Sequence, residues 1–177
     1  MIKSFNSVSP KIHETAFIAD DAIVIGDVEI GEDASVWFGS IVRGDVNYIR
    51  IGARTNIQDM TMIHVNSHTD PTVLEDEITV GHRVTLHGCY VERGSLIGIG
   101  AILLDGVRVG AQSLVAAGSL LTPGTQIPPR SLVMGAPAKV KRELTGDELA
   151  GLDRSWRNYV ELKNRYTTET QRHRAGD

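Results

Sequence analysis

The fold can be predicted from residues 91–133, VERGSLIGIGAILLDGVRVGAQSLVAAGSLLTPGTQIPPRSLV. An apolar residue recurs in this stretch at every sixth position, and a small or β-branched residue follows four positions later. The apolar positions are Val91, Ile97, Leu103, Val109, Val115, Leu121, Ile127 and Val133. A period of six fits neither an amphipathic helix nor an alternating strand. A fixed period held over many units is the signature of a repeat protein.

The same period extends back to residue 12. The earlier apolar positions are Ile12, Ile18, Val24, Ile30, Val36 and Val42, then Ile51, Ile57 and Ile63, then Leu74, Val80 and Leu86. We interpret each six-residue unit as one flat side of a triangular prism, with its apolar residue pointing inward. Three sides make a coil of about 18 residues, and successive coils stack as parallel strands about 4.8 Å apart.

The repeated unit resembles the hexapeptide motif of left-handed parallel β-helices. This resemblance supplies the handedness, because the general rule for parallel crossovers favours the right-handed form. The predicted fold class is therefore mainly β, a left-handed parallel β-helix of hexapeptide repeats over residues 1–140, with a C-terminal α-helix.

The helix is predicted within residues 141–166 and is expected to pack on the β-helix. Thr145-Gly146-Asp147-Glu148 matches a capping box at its start. The apolar residues of one helix face are Leu149, Leu152, Trp156, Tyr159 and Val160. Charged residues such as Arg157 and Lys163 are predicted to lie on an opposite, solvated face. Residues 167–177 are expected to form a flexible tail.

Counting six-residue units gives the relative positions of three histidines. His64 and His87 each follow an inward residue, and those two inward residues lie three units apart. They are therefore expected to be neighbours in consecutive coils, with Arg43 one coil earlier in the same column. Asp59 and His82 form a second column on the neighbouring face by the same count.

Two imidazoles one coil apart can share a divalent ion at bond lengths of about 2.0–2.1 Å. His82 lies round a corner of the prism and is not expected to reach that ion within one chain. Threefold packing of prisms would bring His82 of one subunit to His64 and His87 of its neighbour. The pattern thus predicts a three-histidine metal site at a homotrimer interface. Imidazole ligands suit Zn²⁺, the leading expectation, as well as Fe²⁺ or Co²⁺.

Further motifs surround these histidines. They are Val42-Arg43-Gly44-Asp45, Asn56-Ile57-Gln58-Asp59, Ile63-His64, Val80-Gly81-His82, Leu86-His87-Gly88-Cys89 and Ser131-Leu132-Val133-Met134-Gly135-Ala136-Pro137-Ala138. Together they resemble the γ-class carbonic anhydrase family over roughly residues 10–166. The resemblance implies reversible hydration of CO₂ to bicarbonate by a metal-bound hydroxide at a site shared between subunits.

The resemblance also implies roles for individual residues. Gln58 would hydrogen-bond the hydroxide or the substrate, and Asn56 would help to orient the substrate. Arg43 would pair with Asp59 and Asp45 near the subunit boundary, and Asp45 is the residue for which a purely structural role is favoured.

The chain departs from the fullest form of the family at the proton-transfer residues. Val46 follows Asp45 where the archaeal type carries a glutamate, and the short loop from His68 to Asp70 has no glutamate. His68 and Tyr159 are the candidates to replace it.

Composition and net charge limit the classes of partner that the chain can bind. With a net charge of −4 and a pI near 5.8, the 177-residue chain offers no basic patch for nucleic acid or anionic membranes. It has no long apolar segment, so a cytoplasmic location is expected. The single cysteine, Cys89, rules out an intrachain disulfide and is predicted to be a buried structural thiol.

Other functions remain open at the level of sequence. Hexapeptide-repeat acyltransferases share the predicted fold and use a histidine as general base, so the fold alone does not decide. A metal-dependent thioesterase acting on a coenzyme A ester is a second enzymatic alternative. A non-catalytic trimeric structural protein that retains the metal site is a third.

Overall fold

The computed structural model describes residues 1–175, with the side chains of residues 1–168. Within that range the chain forms a parallel β-solenoid of about 7 turns, followed by one α-helix. The solenoid is a left-handed β-helix of hexapeptide repeats, so the predicted fold class is confirmed. No helix in the described range is long and apolar enough to span a membrane.

The secondary structure consists of short strands and a long terminal helix. In chain order the elements are β1 (Ile2–Lys3), β2 (Lys11–Ile12), β3 (Phe17–Ile18), β4 (Ile23–Ile30), β5 (Ser35–Val36), β6 (Ile41–Ile51), β7 (Asn56–Ile57), β8 (Met62–His64), β9 (Thr72–Leu74), β10 (Thr79–Val80), β11 (Thr85–His87), β12 (Tyr90–Val91), β13 (Leu96–Ile97), β14 (Ile102–Leu103), β15 (Arg108–Val109), β16 (Leu114–Val115), β17 (Leu120–Leu121), β18 (Gln126–Ile127), β19 (Ser131–Gly135), β20 (Ala138–Glu143) and α1 (Gly146–Ala175).

Three stacks of parallel strands make the three faces of the prism. The first face carries β8, β11, β14 and β17, and the second face carries β9, β12, β15 and β18. The third face runs from β3 through β5, β7, β10, β13 and β16 to β19. Strands β4 and β6 are long enough to turn a corner, and β6 pairs with both β8 and β9. These two strands therefore join the first and second faces into one 12-stranded sheet.

The interior is the column of apolar residues that the six-residue period predicts. All of them are buried except Ile12 and Ile18, which are partly buried. These two belong to the first coil, which has a neighbouring coil on one side only. Stacking of consecutive coils is therefore what removes each inward side chain from water.

Hydroxyl groups at the corners connect one coil to the next. Ser40 Oγ donates to the carbonyl of Gln58 at 2.8 Å, and Thr61 Oγ1 donates to that of Gly81 at 3.1 Å. The amide of Thr61 in turn donates to Ser40 Oγ at 3.2 Å. The small residue four positions after each apolar one thus satisfies backbone groups that the tight corner leaves unpaired.

A hairpin closes the solenoid. Strand β20 pairs antiparallel with β19 and ends at Glu143, so the β-structure runs three residues past the predicted boundary at 140. The capping box forms as predicted: the Thr145 amide donates to Glu148 Oε2 at 2.8 Å, and the Glu148 amide donates to Thr145 Oγ1 at 3.3 Å. Helix α1 begins at Gly146 and packs on β5, β7 and β10 of the third face.

The predicted apolar stripe is the docking face of the helix. Leu152 and Trp156 are 6% and 7% exposed, and the ring of Tyr159 meets that of Trp37 edge-on, with centroids 5.5 Å apart. The prediction for Lys163 is wrong, because this side chain is buried rather than solvated. Lys163 continues the same stripe at helical spacing, and its ammonium donates to Asp33 Oδ1 at 2.7 Å and to the carbonyl of Thr15 at 2.8 Å.

The helix is longer than predicted. Helix α1 continues beyond 166 to Ala175. No glycine or proline interrupts residues 167–175, and Thr167 and Thr168 direct their hydroxyls to the carbonyls of Lys163 and Asn164 within the helix. These local bonds are compatible with helical geometry. The last two residues of the predicted tail, 176–177, lie outside the described residues.

The Lys163–Asp33 pair gives a test of helix docking. Replacing Lys163 with Met removes two charge-assisted hydrogen bonds, and we expect the free energy of unfolding to fall by about 2 kcal/mol at pH 7. Urea unfolding followed by tryptophan fluorescence measures the change. Lys141→Met, at an exposed position, is the matched control and is expected to leave stability unchanged.

The same pair predicts a pH dependence. The hydrogen bond from Lys163 outweighs the opposing effect of burial and holds the pKa of Asp33 below its ordinary value of 3.8. The stabilisation is therefore fully present above that value and is lost as the pH falls through the lower, folded-state pKa. The difference between wild type and Lys163→Met should shrink below about pH 4. A difference that grows on acidification would contradict this assignment.

Candidate metal centre

Two of the three predicted ligands lie side by side on the first face. His64 pairs with His87 in the register of β8 and β11, as the count of units predicts. His64 Nδ1 and His87 Nε2 are 3.2 Å apart. Two nitrogens bound to one tetrahedral ion at 2.0–2.1 Å are separated by about 3.3–3.4 Å. This pair of imidazoles therefore fits one edge of such an ion's coordination shell.

Asp45 and Arg43 hold His64 from one side. His64 Nε2 lies 2.9 Å from Asp45 Oδ1, and Arg43 Nη1 donates to the other oxygen of the same carboxylate. Burial acts to raise the pKa of Asp45, but the hydrogen bonds from His64 and Arg43 outweigh it and lower that pKa. Asp45 is therefore ionised at neutral pH, and its charge is shared between a guanidinium and an imidazole.

Asp105 and Asn66 hold His87 from the other side. His87 Nδ1 lies 2.5 Å from Asp105 Oδ1, and Asn66 Nδ2 donates to Asp105 Oδ2 at 3.1 Å. Sequence reasoning missed both residues. Asp105 lies 18 residues after His87, and that spacing of one coil is the signal that could have found it.

The third predicted ligand belongs to a different face. His82 follows β10, and Asp59 follows β7, the strand with which β10 pairs in register on the third face. His82 Nδ1 lies 2.8 Å from Asp59 Oδ2, and the two side chains are 42% and 36% exposed. The predicted column of Asp59 and His82 is thus present, and His82 is accessible from outside the chain.

Gln58 and Asn56 lie on this third face as well. Both are buried, and Gln58 Nε2 donates to Asn56 Oδ1 at 3.2 Å while Asn56 Nδ2 donates to Thr79 Oγ1 at 3.1 Å. Tyr159 of helix α1 is close enough to this group to respond to Asp59. Burial, followed by the negative charge of Asp59, raises the pKa of the Tyr159 phenol.

The structure thus divides the predicted site residues into two sets. The first half-site contains Arg43, Asp45, His64 and His87; the second contains Asn56, Gln58, Asp59, His82 and Tyr159. Within the described range, no three histidine, cysteine or acidic side chains of one chain come close enough to hold a metal ion. Arg43 forms its ion pair there with Asp45. Its predicted pairing with Asp59 does not form within the chain, because Asp59 lies on the third face, and a pairing between subunits stays a prediction.

The donor set fits a divalent transition metal. Two imidazole nitrogens converge on one point, and His87 carries a carboxylate on its remaining ring nitrogen, as metal-bound histidines commonly do. His82 would supply the third nitrogen from a neighbouring chain.

Cys89 lies close to His87 in sequence but plays no part in either half-site. Its side chain is buried, and burial raises the pKa of the thiol from 9.0 to about 12. A thiol with so high a pKa is neither a ready nucleophile nor a ready ligand at neutral pH.

The three-faced coil of six-residue units makes this chain a hexapeptide-repeat β-helix protein. It is 49% identical over 175 residues to "Carbonic anhydrase" of Geobacillus kaustophilus, covering 99% of this chain and 95% of that one. It is 43% identical over 169 residues to "Gamma carbonic anhydrase 2, mitochondrial" of Arabidopsis thaliana, covering 93% of this chain and 61% of that one. The chain belongs to the γ-class carbonic anhydrase family.

A solved structure with the same fold carries a different family description. The crystal structure of a "hexapeptide transferase family protein" from Anaplasma phagocytophilum superposes with a TM-score of 0.90 at 41% identity. The match covers 93% of this chain and 97% of that one. No family model matches the chain.

The state of Cys89 is directly testable. Its raised pKa leaves about a thousandfold less thiolate at pH 8 than an ordinary cysteine has, and burial blocks access as well. We expect negligible labelling by iodoacetamide in the native protein and complete labelling after unfolding. Because the chain has one cysteine, mass spectrometry reads this site alone. Rapid labelling of the native protein would show that the thiol is exposed and available for chemistry.

Proposed function

We propose that this protein is a metal-dependent carbonic anhydrase that interconverts CO₂ and bicarbonate at sites shared between the subunits of a homotrimer. The observation that carries the proposal is the pair of facing imidazole nitrogens, His64 Nδ1 and His87 Nε2, 3.2 Å apart. They lie on one face, while an accessible His82 lies on another. Family membership makes CO₂ the substrate to test first.

We propose Zn²⁺ as the ion, with Fe²⁺ or Co²⁺ as alternatives that imidazole ligands accept equally well. When bound by three neutral imidazoles, such an ion lowers the pKa of a coordinated water to about 7 and so supplies hydroxide at neutral pH. The protein has to deprotonate and orient the three rings, position CO₂ and carry a proton away.

The buried amides are placed to position the substrate. The hydrogen bonds from Gln58 to Asn56 and from Asn56 to Thr79 fix both amide planes before any substrate arrives. Preorganised polar groups of this kind favour one orientation of a bound molecule at little further cost. Gln58 is assigned to the hydroxide or CO₂, and Asn56 to the orientation of CO₂.

The remaining roles to assign are the attraction of bicarbonate and the transfer of a proton out of the site. Arg43 is partly exposed beside Asp45 and His64 on the first half-site, where its guanidinium can attract bicarbonate. Tyr159 stands beside the second half-site and the exposed His68 stands in the loop that follows His64. We assign proton transfer to one of these two, since each can exchange a proton with water.

An apolar ladder on the first face supports assembly with a second copy of the chain. The outward residues in register there are Ile23, Ile41, Met62, Thr85, Ile102 and Leu120. Ile102 is 38% exposed although its strand pairs on both sides, with β11 and β17. Helix α1 packs on strands of the third face. A neighbouring prism on the first face would bury the ladder and bring its own His82 towards His64 and His87.

Stopped-flow CO₂ hydration tests the proposal on protein loaded anaerobically with Zn²⁺ or Fe²⁺. We expect metal-dependent hydration that is lost, by at least about a hundredfold, in His64→Ala, His82→Ala and His87→Ala, because each removes one ligand. His13→Ala is the matched control, since the His13 imidazole bonds Thr15 on the surface and lies in neither half-site.

Mixing variants tests whether sites are shared between subunits. The His64→Ala and His82→Ala variants are mixed in equal amounts, unfolded and refolded together. In some of the resulting sites, the His82→Ala chain supplies His64 and His87 and the His64→Ala chain supplies His82. Random assembly of trimers should restore about one quarter of wild-type activity. The mixture of His64→Ala with His87→Ala carries both changes in the same half-site and should stay inactive. Equal activity of the two mixtures would refute a shared site.

If the fully metal-loaded protein does not hydrate CO₂, the other candidate functions are tested next. The name of the Anaplasma relative raises group transfer, which acetyl-CoA consumption in the presence of an amine acceptor would detect. Hydrolysis of acetyl-CoA without an acceptor would indicate a thioesterase. Inactivity towards every substrate, with an intact metal-loaded trimer, would favour the structural role.

Ile102→Glu tests the assembly itself. A carboxylate buried within the ladder is costly without a partner, so we expect the trimer to dissociate in sedimentation-velocity experiments. The circular dichroism of the β-helix should persist, because the side chain points away from its core. Val73→Glu adds the same group on the second face and should leave the trimer intact. A trimeric Ile102→Glu protein would show that the first face is not the interface.

A further inference from the structure

Asp105, which is not among the predicted site residues, contacts the predicted metal ligand His87. Asp105 follows β14, one coil beyond His87, and its Oδ1 lies 2.5 Å from His87 Nδ1. Its other oxygen accepts a hydrogen bond from Asn66 Nδ2 at 3.1 Å. Three consecutive coils thus contribute Asn66, His87 and Asp105 to one chain of hydrogen bonds at one edge of the first face.

The backbone at Gly88 leaves room for this contact. A Cβ at position 88 would lie 2.5 Å from Asp105 Oδ1 and 2.8 Å from Asp70 Cβ. The residue also has a φ of +58°, which L side chains rarely adopt. Any side chain here would push the carboxylate away from His87, so glycine is a condition of the Asp105–His87 contact.

Asp105 differs from Asp45 in the number of side chains that its carboxylate contacts as an ion pair. Asp45 is shared between Arg43 and His64. Among the ion pairs of residues 1–168, Asp105 has one partner, the His87 imidazole. The Asp105 carboxylate therefore directs its charge at one imidazole.

We infer that Asp105, held in place by Asn66, is a positioning residue that keeps the proton of His87 on Nδ1 and so presents Nε2 as a metal ligand. The inference rests on the proposed metal site and adds to it two residues and the reason for a glycine. An anionic acceptor on Nδ1–H fixes the tautomer and the ring plane and makes Nε2 a stronger donor. Loss of such a partner typically lowers metal affinity 10–100-fold.

The test compares Asp105→Asn with Asp70→Asn. Asp70 occupies the same corner, close to Gly88 and Gly106, and its carboxylate accepts from Thr69. Each variant thus removes one negative charge from the same place, but one of them alone alters the bond to His87. The Zn²⁺ affinity of the assembled protein is measured by competition with a chromophoric chelator at pH 7.

We expect Asp105→Asn to bind Zn²⁺ about 10–100-fold more weakly and Asp70→Asn to stay within about twofold of wild type. Asn66→Ala removes the support and keeps the carboxylate, and we expect a loss of about twofold to tenfold. Equal affinities for wild type and Asp105→Asn, or equal losses in Asp105→Asn and Asp70→Asn, would overturn the inference.

A second readout needs no metal and separates this inference from the proposed function. Nitrogen-15 NMR of the His87 ring in metal-free protein should show the proton on Nδ1 in wild type and in Asp70→Asn, and a mixture of tautomers in Asp105→Asn. A wild type that binds no Zn²⁺ but shows the Nδ1 tautomer would refute the proposed function and retain the role of Asp105 in orienting His87. An Nε2-protonated His87 in wild type would refute that role whatever the metal result.

Discussion

The whole structure depends on the backbone hydrogen bonds that stack each coil on the next. Parallel pairing repeats at a step of 18 residues, as in Val91 with Val109 and Val109 with Ile127. This constraint turns distance along the chain into position on a face. Insertions before Ile51 and before Leu74 sit at corners, so the register of the flat sides survives them. His64 and His87 are therefore neighbours although 23 residues separate them.

A triangular prism also explains why the candidate site is divided. Flat sides direct side chains outward in three directions, so His64 and His87 on the first face cannot converge with His82 on the third. Each of these histidines has an aspartate on one ring nitrogen: Asp45, Asp105 and Asp59 respectively. These carboxylates orient the rings before any ion binds, and the residues of each half-site lie on the stacked strands or within a few residues of their ends.

Helix α1 determines which faces remain available to a partner. Its apolar stripe packs against Trp37 and the third face, and the buried Lys163 fastens it to Asp33 in an early coil. The helix places Tyr159 in the second half-site, and the strands it contacts belong to the third face rather than to the face that carries the apolar ladder.

The repeat, the inward column and the two columns of site residues could be predicted because each follows from a fixed period counted along the chain, and the capping box follows from a local motif. The contacts made across coils and between elements became visible in the folded chain. Asp105 and Asn66 reach His87 from neighbouring coils, and Lys163 finds Asp33 across 130 residues. The six-residue period places backbones and not the ends of long polar side chains. A charge that is buried because it has a partner is therefore visible only once both elements are packed together.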